Sequence, residues 1–167
     1  MADREYLNIL AWEAVHADVG TLAEQISASG YQPDLILGIG QGGIIPATLL
    51  YFALPEARFR IVYPKASAPG SVEPPSDVAG RRVLLADDLA ITGDSLLEVK
   101  KIIAALGPAE IRTACLYASA GYSGLDYLVR ALDPMERIVF PWYCGVDVDG
   151  VRVYKYKDRF GKHEPVG

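Results

Sequence analysis

From Val83 to Leu96 the chain reads VLLADDLAITGDSL. Its apolar opening ends in two adjacent acids, Asp87 and Asp88, which predicts a buried strand that delivers both carboxylates to its C-terminal end. A short loop with Thr92 and Gly93 follows, and a helix is expected to begin near Asp94 or Ser95. The first N–H groups of a helix lack acceptors within it, and together with loop amides they form an anion cradle. Gly93 lets backbone approach an anion closely, and the hydroxyls of Thr92 and Ser95 can add bonds. Carboxylates beside such a cradle repel phosphate, so they need another partner. A vicinal diol and Mg²⁺ both qualify, since carboxylates accept bonds from hydroxyls and ligate hard cations. The pattern therefore suits a ribose with a phosphate at one end. A helix capped by Asp94 or Ser95 would account for those two residues, but not for the acid pair.

Outward from this stretch, strand and helix patterns alternate. LILGI, Leu35 to Ile39, is short, apolar and bounded by turn residues, as a buried strand should be. FRIVY (Phe59 to Tyr63) and IRTACLYA (Ile111 to Ala118) read as further strands, and RIVF (Arg137 to Phe140) as a shorter fifth. Trp12, Val15, Val19, Leu22 and Ile26 form an apolar stripe at helical spacing, which predicts a helix from Trp12 to Ala28 stopped by Gly30 and Pro33. IIPATLLYFAL, Ile44 to Leu54, reads as a helix that tolerates Pro46 in its first turn. A third helix is expected from Ser95 to Leu106, ended by Gly107 and Pro108. VDVDGVRVYKY, Val146 to Tyr156, alternates about Asp149-Gly150, a hairpin signal. This order predicts an α/β domain with a mainly parallel central sheet and flanking helices. Its chemistry should gather where loops leave the C-terminal ends of the strands.

One of those loops poses a choice. In DLILGIGQGGIIPA, Gly38, Gly40 and Gly43 spell G-x-G-x-x-G after a strand, the fingerprint of a dinucleotide site. Such a site also needs an acid at the end of the next strand to grip the ribose. Here that strand runs out into Pro64 and Lys65, and Glu56 precedes it at the wrong edge. The dinucleotide reading fails, and the glycine loop is left to another phosphate.

The remaining features bound the function class. The 167 residues suit one domain, and 51% hydrophobic with 22% charged residues is ordinary for a globular chain. A net charge of −5 speaks against a nucleic-acid surface. MADREYLNIL carries charges where a secretion signal would be apolar, and no run reaches membrane-spanning length, so a cytoplasmic protein is expected. Cys115 lies in an apolar run and Cys144 in an expected loop, without zinc spacing. His16 reads as a packed or half-exposed helix residue, and His163 as a solvated one. Tyr117, Tyr122 and Tyr127 could line a base pocket or pack the core, while Glu13 and Lys65 have no fixed place. Residues from Lys65 to Gly80 are rich in Pro, Gly and Ser, a loop long for a compact domain.

VLLADDLAITGDSL resembles the signature with which type I phosphoribosyltransferases hold phosphoribosyl diphosphate, and GIGQGGIIPA resembles that family's diphosphate loop. FPW, Phe140 to Trp142, is similar to the base-covering hood of the xanthine-guanine and hypoxanthine branch. The resemblance runs from the Trp12 helix to that hood. It implies a single phosphoribosyltransferase-like domain over residues 1–167, with hood and hairpin in about 137–157. Asp87 and Asp88 would bind the ribose hydroxyls directly or through Mg²⁺, and Thr92, Gly93, Asp94 and Ser95 would wrap the 5-phosphate. Gly40, Gln41, Gly42 and Gly43 would meet the diphosphate, Trp142 and Phe140 would lie by the base, and Lys65 to Gly80 would close over the donor. The family also implies a homodimer acting on small molecules.

Four places depart from the purine branch. Gln41 stands where that branch carries a basic residue, and an amide donates to phosphate without neutralising it. Ile91 replaces the acid that takes a proton from the base. Ala118 and Ser119 stand where a lysine reads the 6-oxo group, and Asp94 puts a negative side chain into the phosphate loop. The first expectation is a Mg²⁺-dependent phosphoribosyltransferase acting on a purine or purine-like base, divergent from ordinary 6-oxopurine salvage. The second is a non-catalytic sensor of phosphoribosyl diphosphate or a nucleotide. No residue is assigned as the catalytic base.

Overall fold

Every residue of LILGI is buried, as in a strand with neighbours on both edges and cover on both faces. The structure, a computed structural model, describes residues 6–64, 75–142, 144–148 and 151–153. Its elements in chain order are β1 (Tyr6–Ile9), α1 (Trp12–Ala28), β2 (Leu35–Ile39), α2 (Ile44–Ala53), β3 (Arg58–Val62) and β4 (Arg82–Ala90), then α3 (Asp94–Ala104), β5 (Glu110–Ser119), β6 (Tyr127–Leu132), β7 (Glu136–Val139), β8 (Cys144–Val148) and β9 (Val151–Val153). They fall into two compact units, one running from His16 to Pro134 and a smaller one drawn from both ends of the chain.

The larger unit is built on a five-stranded sheet in the order β3-β2-β4-β5-β6. All four pairings are parallel, which matches the expected α/β architecture. One face carries Leu35, Leu37, Ile39, Val83 and Leu85 into a core shared with Leu96, Val99 and Ile103 of α3. The opposite face receives α2, where a Cβ at Gly38 would stand 3.0 Å from the Ala47 methyl. This alternation follows from the two-residue repeat of a strand. Helix α1 has the predicted bounds, and Val15, Val19, Leu22 and Ile26 of its stripe are buried.

Three expectations change. The fifth strand of the sheet is β6, whereas RIVF, as β7, pairs in parallel with β1 in the smaller unit. An edge strand such as YLVRAL buries only Tyr127 and Leu132, so its pattern alternates poorly. Next, β4 does not end at the acids: pairing with β5 continues through Leu89 to Tyr117 and Ala90 to Ala118. Finally, Cys144 belongs to β8 rather than a loop.

β8 and β9 pair antiparallel with Val148 opposite Val151, although the expected turn at 149–150 and residues 154–156 of that run lie outside the described residues. Residues 65–74 of the expected covering loop also lie outside them. Its other end is anchored: Val78 is fully buried in the α3 core, and the Arg81 guanidinium donates to the Asp77 carbonyl at 2.7 Å.

Candidate functional site

Two loops leave neighbouring strands of the larger unit at their C-terminal ends. The first follows β2. Gly40 has φ +59, which favours glycine, and its N–H donates to the Val62 carbonyl of β3 at 2.8 Å. The Gly43 N–H returns to the Ile39 carbonyl at 3.0 Å. A Cβ at Gly43 would stand 2.5 Å from the Ala86 carbonyl oxygen, so only glycine lets the start of α2 sit against β4. A Cβ at Gly42 would stand 2.8 Å from the carboxyl carbon of Asp88. The glycine loop and the acid pair are therefore in contact, through a glycine that leaves room for a carboxylate. Gln41 is exposed.

The second loop follows β4. Asp88 is buried and Asp87 half-buried, and the Asp88 N–H donates to the Asp87 carboxylate at 3.0 Å. Cys115 stands opposite Asp87 on β5. Burial, followed by the charges of Asp87 and Asp88, pushes its thiol well above the ordinary range, so it stays a neutral core group. Ile91, at the place of the missing acid, is 55% exposed.

The N-cap of α3 is Gly93, in the left-handed region at φ +77, rather than Asp94 or Ser95, and glycine brings no side-chain cap of its own. Asp94 instead accepts from the Thr92 hydroxyl at 2.8 Å, and its own N–H donates back to that hydroxyl at 3.3 Å. The Asp94 carboxylate is thus tied to Thr92 and does not serve as the helix cap. This also engages the Thr92 hydroxyl, which the sequence offered as a ligand group.

The three tyrosines separate. Tyr117 is buried, and its hydroxyl donates to Asp18 of α1. Tyr127 is buried, with its hydroxyl 2.6 Å from both the Ser29 hydroxyl and the Arg112 guanidinium. Both pack the core. Tyr122 lies on the phosphate-loop candidate, where a Cβ at Gly93 would overlap its ring and hydroxyl. The hydroxyl is buried without a hydrogen-bond partner among the described residues, and burial pushes its ionisation up, with Cys115 and Asp94 adding to the effect. Ala118 is buried and Ser119 half-buried, so the end of β5 offers no cation. His16 and Glu13 are exposed on α1, while His163 and Lys65 lie outside the described residues.

The smaller unit holds the other candidates. β1 and β7 are joined by Tyr6 N–H to the Met135 carbonyl at 3.0 Å and by Leu10 N–H to the Val139 carbonyl at 2.9 Å, with the Asn8 amide on Glu136 at 2.7 Å. Phe140 is 1% exposed, and Trp142 stacks on it with centroids 4.4 Å apart and an angle of 14°. Trp12, which the sequence presents only as the head of a helix stripe, stands 5.8 Å from Trp142 at 48°.

No cluster of three metal-ligating side chains occurs among the described residues. Two carboxylates still fit a cation that keeps several waters and takes phosphate oxygens, as Mg²⁺ does. No helix among the described residues is long and apolar enough to cross a membrane.

Residues 5–149 match the phosphoribosyl transferase domain family. No curated protein sequence matches the chain. Among solved structures, the purine phosphoribosyltransferase of Pyrococcus horikoshii is 30% identical with a TM-score of 0.71, over 81% of this chain and 93% of that one. The xanthine-guanine-hypoxanthine phosphoribosyltransferase of Helicobacter pylori has 17% identity and a TM-score of 0.66, over 82% and 93%. A hypothetical protein of Neisseria gonorrhoeae with bound ppGpp has 22% identity and a TM-score of 0.67, over 87% and 92%. The last two share the fold.

Proposed function

Because the chain belongs to the phosphoribosyl transferase domain family, we propose that it transfers the 5-phosphoribosyl group of phosphoribosyl diphosphate to a purine or purine-like base, with release of diphosphate. The observation that carries this reading is the Asp88 carboxylate against Gly42. A loop suited to diphosphate and an acid suited to ribose hydroxyls share one wall.

In this reading Asp87 and Asp88 accept from the ribose hydroxyls. The amides of Gly40 and Gly43 already serve Val62 and Ile39, so donation to the diphosphate falls to Gln41 and Gly42. The start of α3, from Thr92 to Ser95, holds the 5-phosphate with backbone N–H groups and the positive end of its dipole, the Asp94 N–H turning to the anion from the Thr92 hydroxyl. Trp142, backed by the buried Phe140, serves the base by stacking. Asp87 and Asp88 would hold Mg²⁺, which would supply positive charge for the departing diphosphate. The bond from the anomeric carbon to the diphosphate oxygen breaks, and a ring nitrogen of the base bonds to that carbon. With Ile91 unable to take a proton, the proton of the base passes to water or to the diphosphate. Positioning and charge stabilisation then carry the catalysis. The reading extends to a cytoplasmic homodimer that binds no nucleic acid.

Calorimetry with phosphoribosyl diphosphate and Mg²⁺ tests the donor site. Binding is expected in the native chain, and is expected to vanish in Asp87→Asn/Asp88→Asn or when a chelator removes the cation. A screen of bases for diphosphate release then tests the transfer. The exposed Ile91 and Gln41 favour a second reading, a sensor of the donor or of a nucleotide. Tight binding with no diphosphate release from any base would select it, and no binding at millimolar donor would sink both.

A further inference from the structure

The apolar stripe of α1 has one member that does not behave as core. Val15, Val19, Leu22 and Ile26 are at most 3% exposed, whereas Trp12 is 51% exposed. Burial in the core cannot account for an indole left half in water, which forgoes much of the apolar gain of a large aromatic. Its only ring contact among the described residues is Trp142, whose other side lies flat on the buried Phe140. Phe140 thus anchors, Trp142 stacks, and Trp12 stands inclined at 48° with a face open. The open face of Trp12 therefore extends the stack and offers one further π surface to a planar ring. A bicyclic base covers more of it than a monocyclic one.

From this juxtaposition we infer that Trp12 is a base-binding residue, and that it sets a preference for bicyclic over monocyclic bases. The inference rests on the phosphoribosyltransferase reading and extends it to a residue that lies well before both phosphate loops in the chain. It also makes the binding observable. The chain has two tryptophans, and both stand in this stack, so indole emission reports on it alone.

The test titrates the full chain with guanosine monophosphate, uridine monophosphate and ribose 5-phosphate, following tryptophan emission and, in parallel, heat. The purine nucleotide is expected to quench emission and to bind more tightly than the pyrimidine nucleotide. In Trp12→Ala that preference should shrink by about tenfold, within the range for one base on one aromatic ring. Affinity for ribose 5-phosphate should stay unchanged, and Trp12→Phe should restore the preference. An unchanged preference in Trp12→Ala overturns the inference while leaving the transferase reading intact. Equal loss for all three ligands would mark Trp12 as structural and overturn it too. A native chain that binds none of them by heat removes the reading and the inference together.

Discussion

Gly93 concentrates the chemistry of the site in one residue. It turns the chain into α3 at φ +77, and its missing side chain makes room for Tyr122. Gly93→Ala therefore meets two costs, a left-handed conformation worth about 1–2 kcal/mol and an overlap with a ring. Urea titration should show a loss of at least about 1 kcal/mol, and calorimetry a loss of donor affinity. Tyr122→Phe has the opposite sign. It removes a buried hydroxyl that has no partner among the described residues, and such a group costs about 1–3 kcal/mol to keep unsatisfied. Stability should rise, by up to about 1 kcal/mol once the fit of the new ring is counted; a fall would show that the hydroxyl bonds to something. The sequence makes Gly93 legible, because glycine before a helix and after acids has few other uses. It leaves Tyr122 undivided from Tyr117 and Tyr127, since three tyrosines in related contexts differ only in where the sheet carries them.

At the scale of elements, α3 links the core to the candidate phosphate site. Leu96, Val99 and Ile103 anchor it against β2 and β4, and Leu96 lies one turn from the loop that would hold the anion. Leu96→Ala should cost about 2–5 kcal/mol in chemical denaturation and weaken donor binding with it. At the other end of the same strands, Asp34 and Arg82 tie β2 to β4. The Arg82 guanidinium donates to Asp34 at 2.9 Å, and the Arg82 backbone N–H donates at 2.8 Å. Those two hydrogen bonds, side chain first, hold the Asp34 carboxyl down at about 2, below the unfolded value of 3.8. Stability from this group is therefore present above pH 3.8 and lost as pH falls through about 2. Both side chains are about a third exposed or more, so water screens the pair and its contribution stays below about 1 kcal/mol. Asp34→Asn should lower stability by that small amount at neutral pH and leave it unchanged well below pH 2. The helices and the central strands were legible because their apolar periods are regular and glycine or proline closes them. β1 was not, and β7, legible as the strand RIVF, is not in the central sheet where the sequence pattern put it, since each is short and pairs with a segment at the other end of the chain. No local pattern encodes such a partner.

For the whole molecule, the division into two units gives each its own spectroscopic signature. Both tryptophans stand in the smaller unit, while α2, α3 and the five-stranded sheet belong to the larger. A two-stranded sheet is marginal by itself. Emission in urea should therefore change at or before the far-ultraviolet dichroism; a later change would contradict that ordering. The acid pair, the glycine loop and FPW were all readable as motifs, because each is contiguous. The contact between Asp88 and Gly42 was not, because it depends on β2 and β4 lying side by side.

The pairing of β1 with β7 also has a consequence in time. The larger unit is one unbroken run of chain and can assemble while synthesis is still under way. Tyr6 must wait for Glu136 to be made before it finds its neighbour, and so distant a closure is slow. A nascent chain should thus acquire its candidate phosphate loops first and its aromatic stack last. During that interval β1 is an unpaired strand, and Tyr6, Leu7 and Ile9, about half exposed even in the folded chain, lie open as the segment a chaperone would meet.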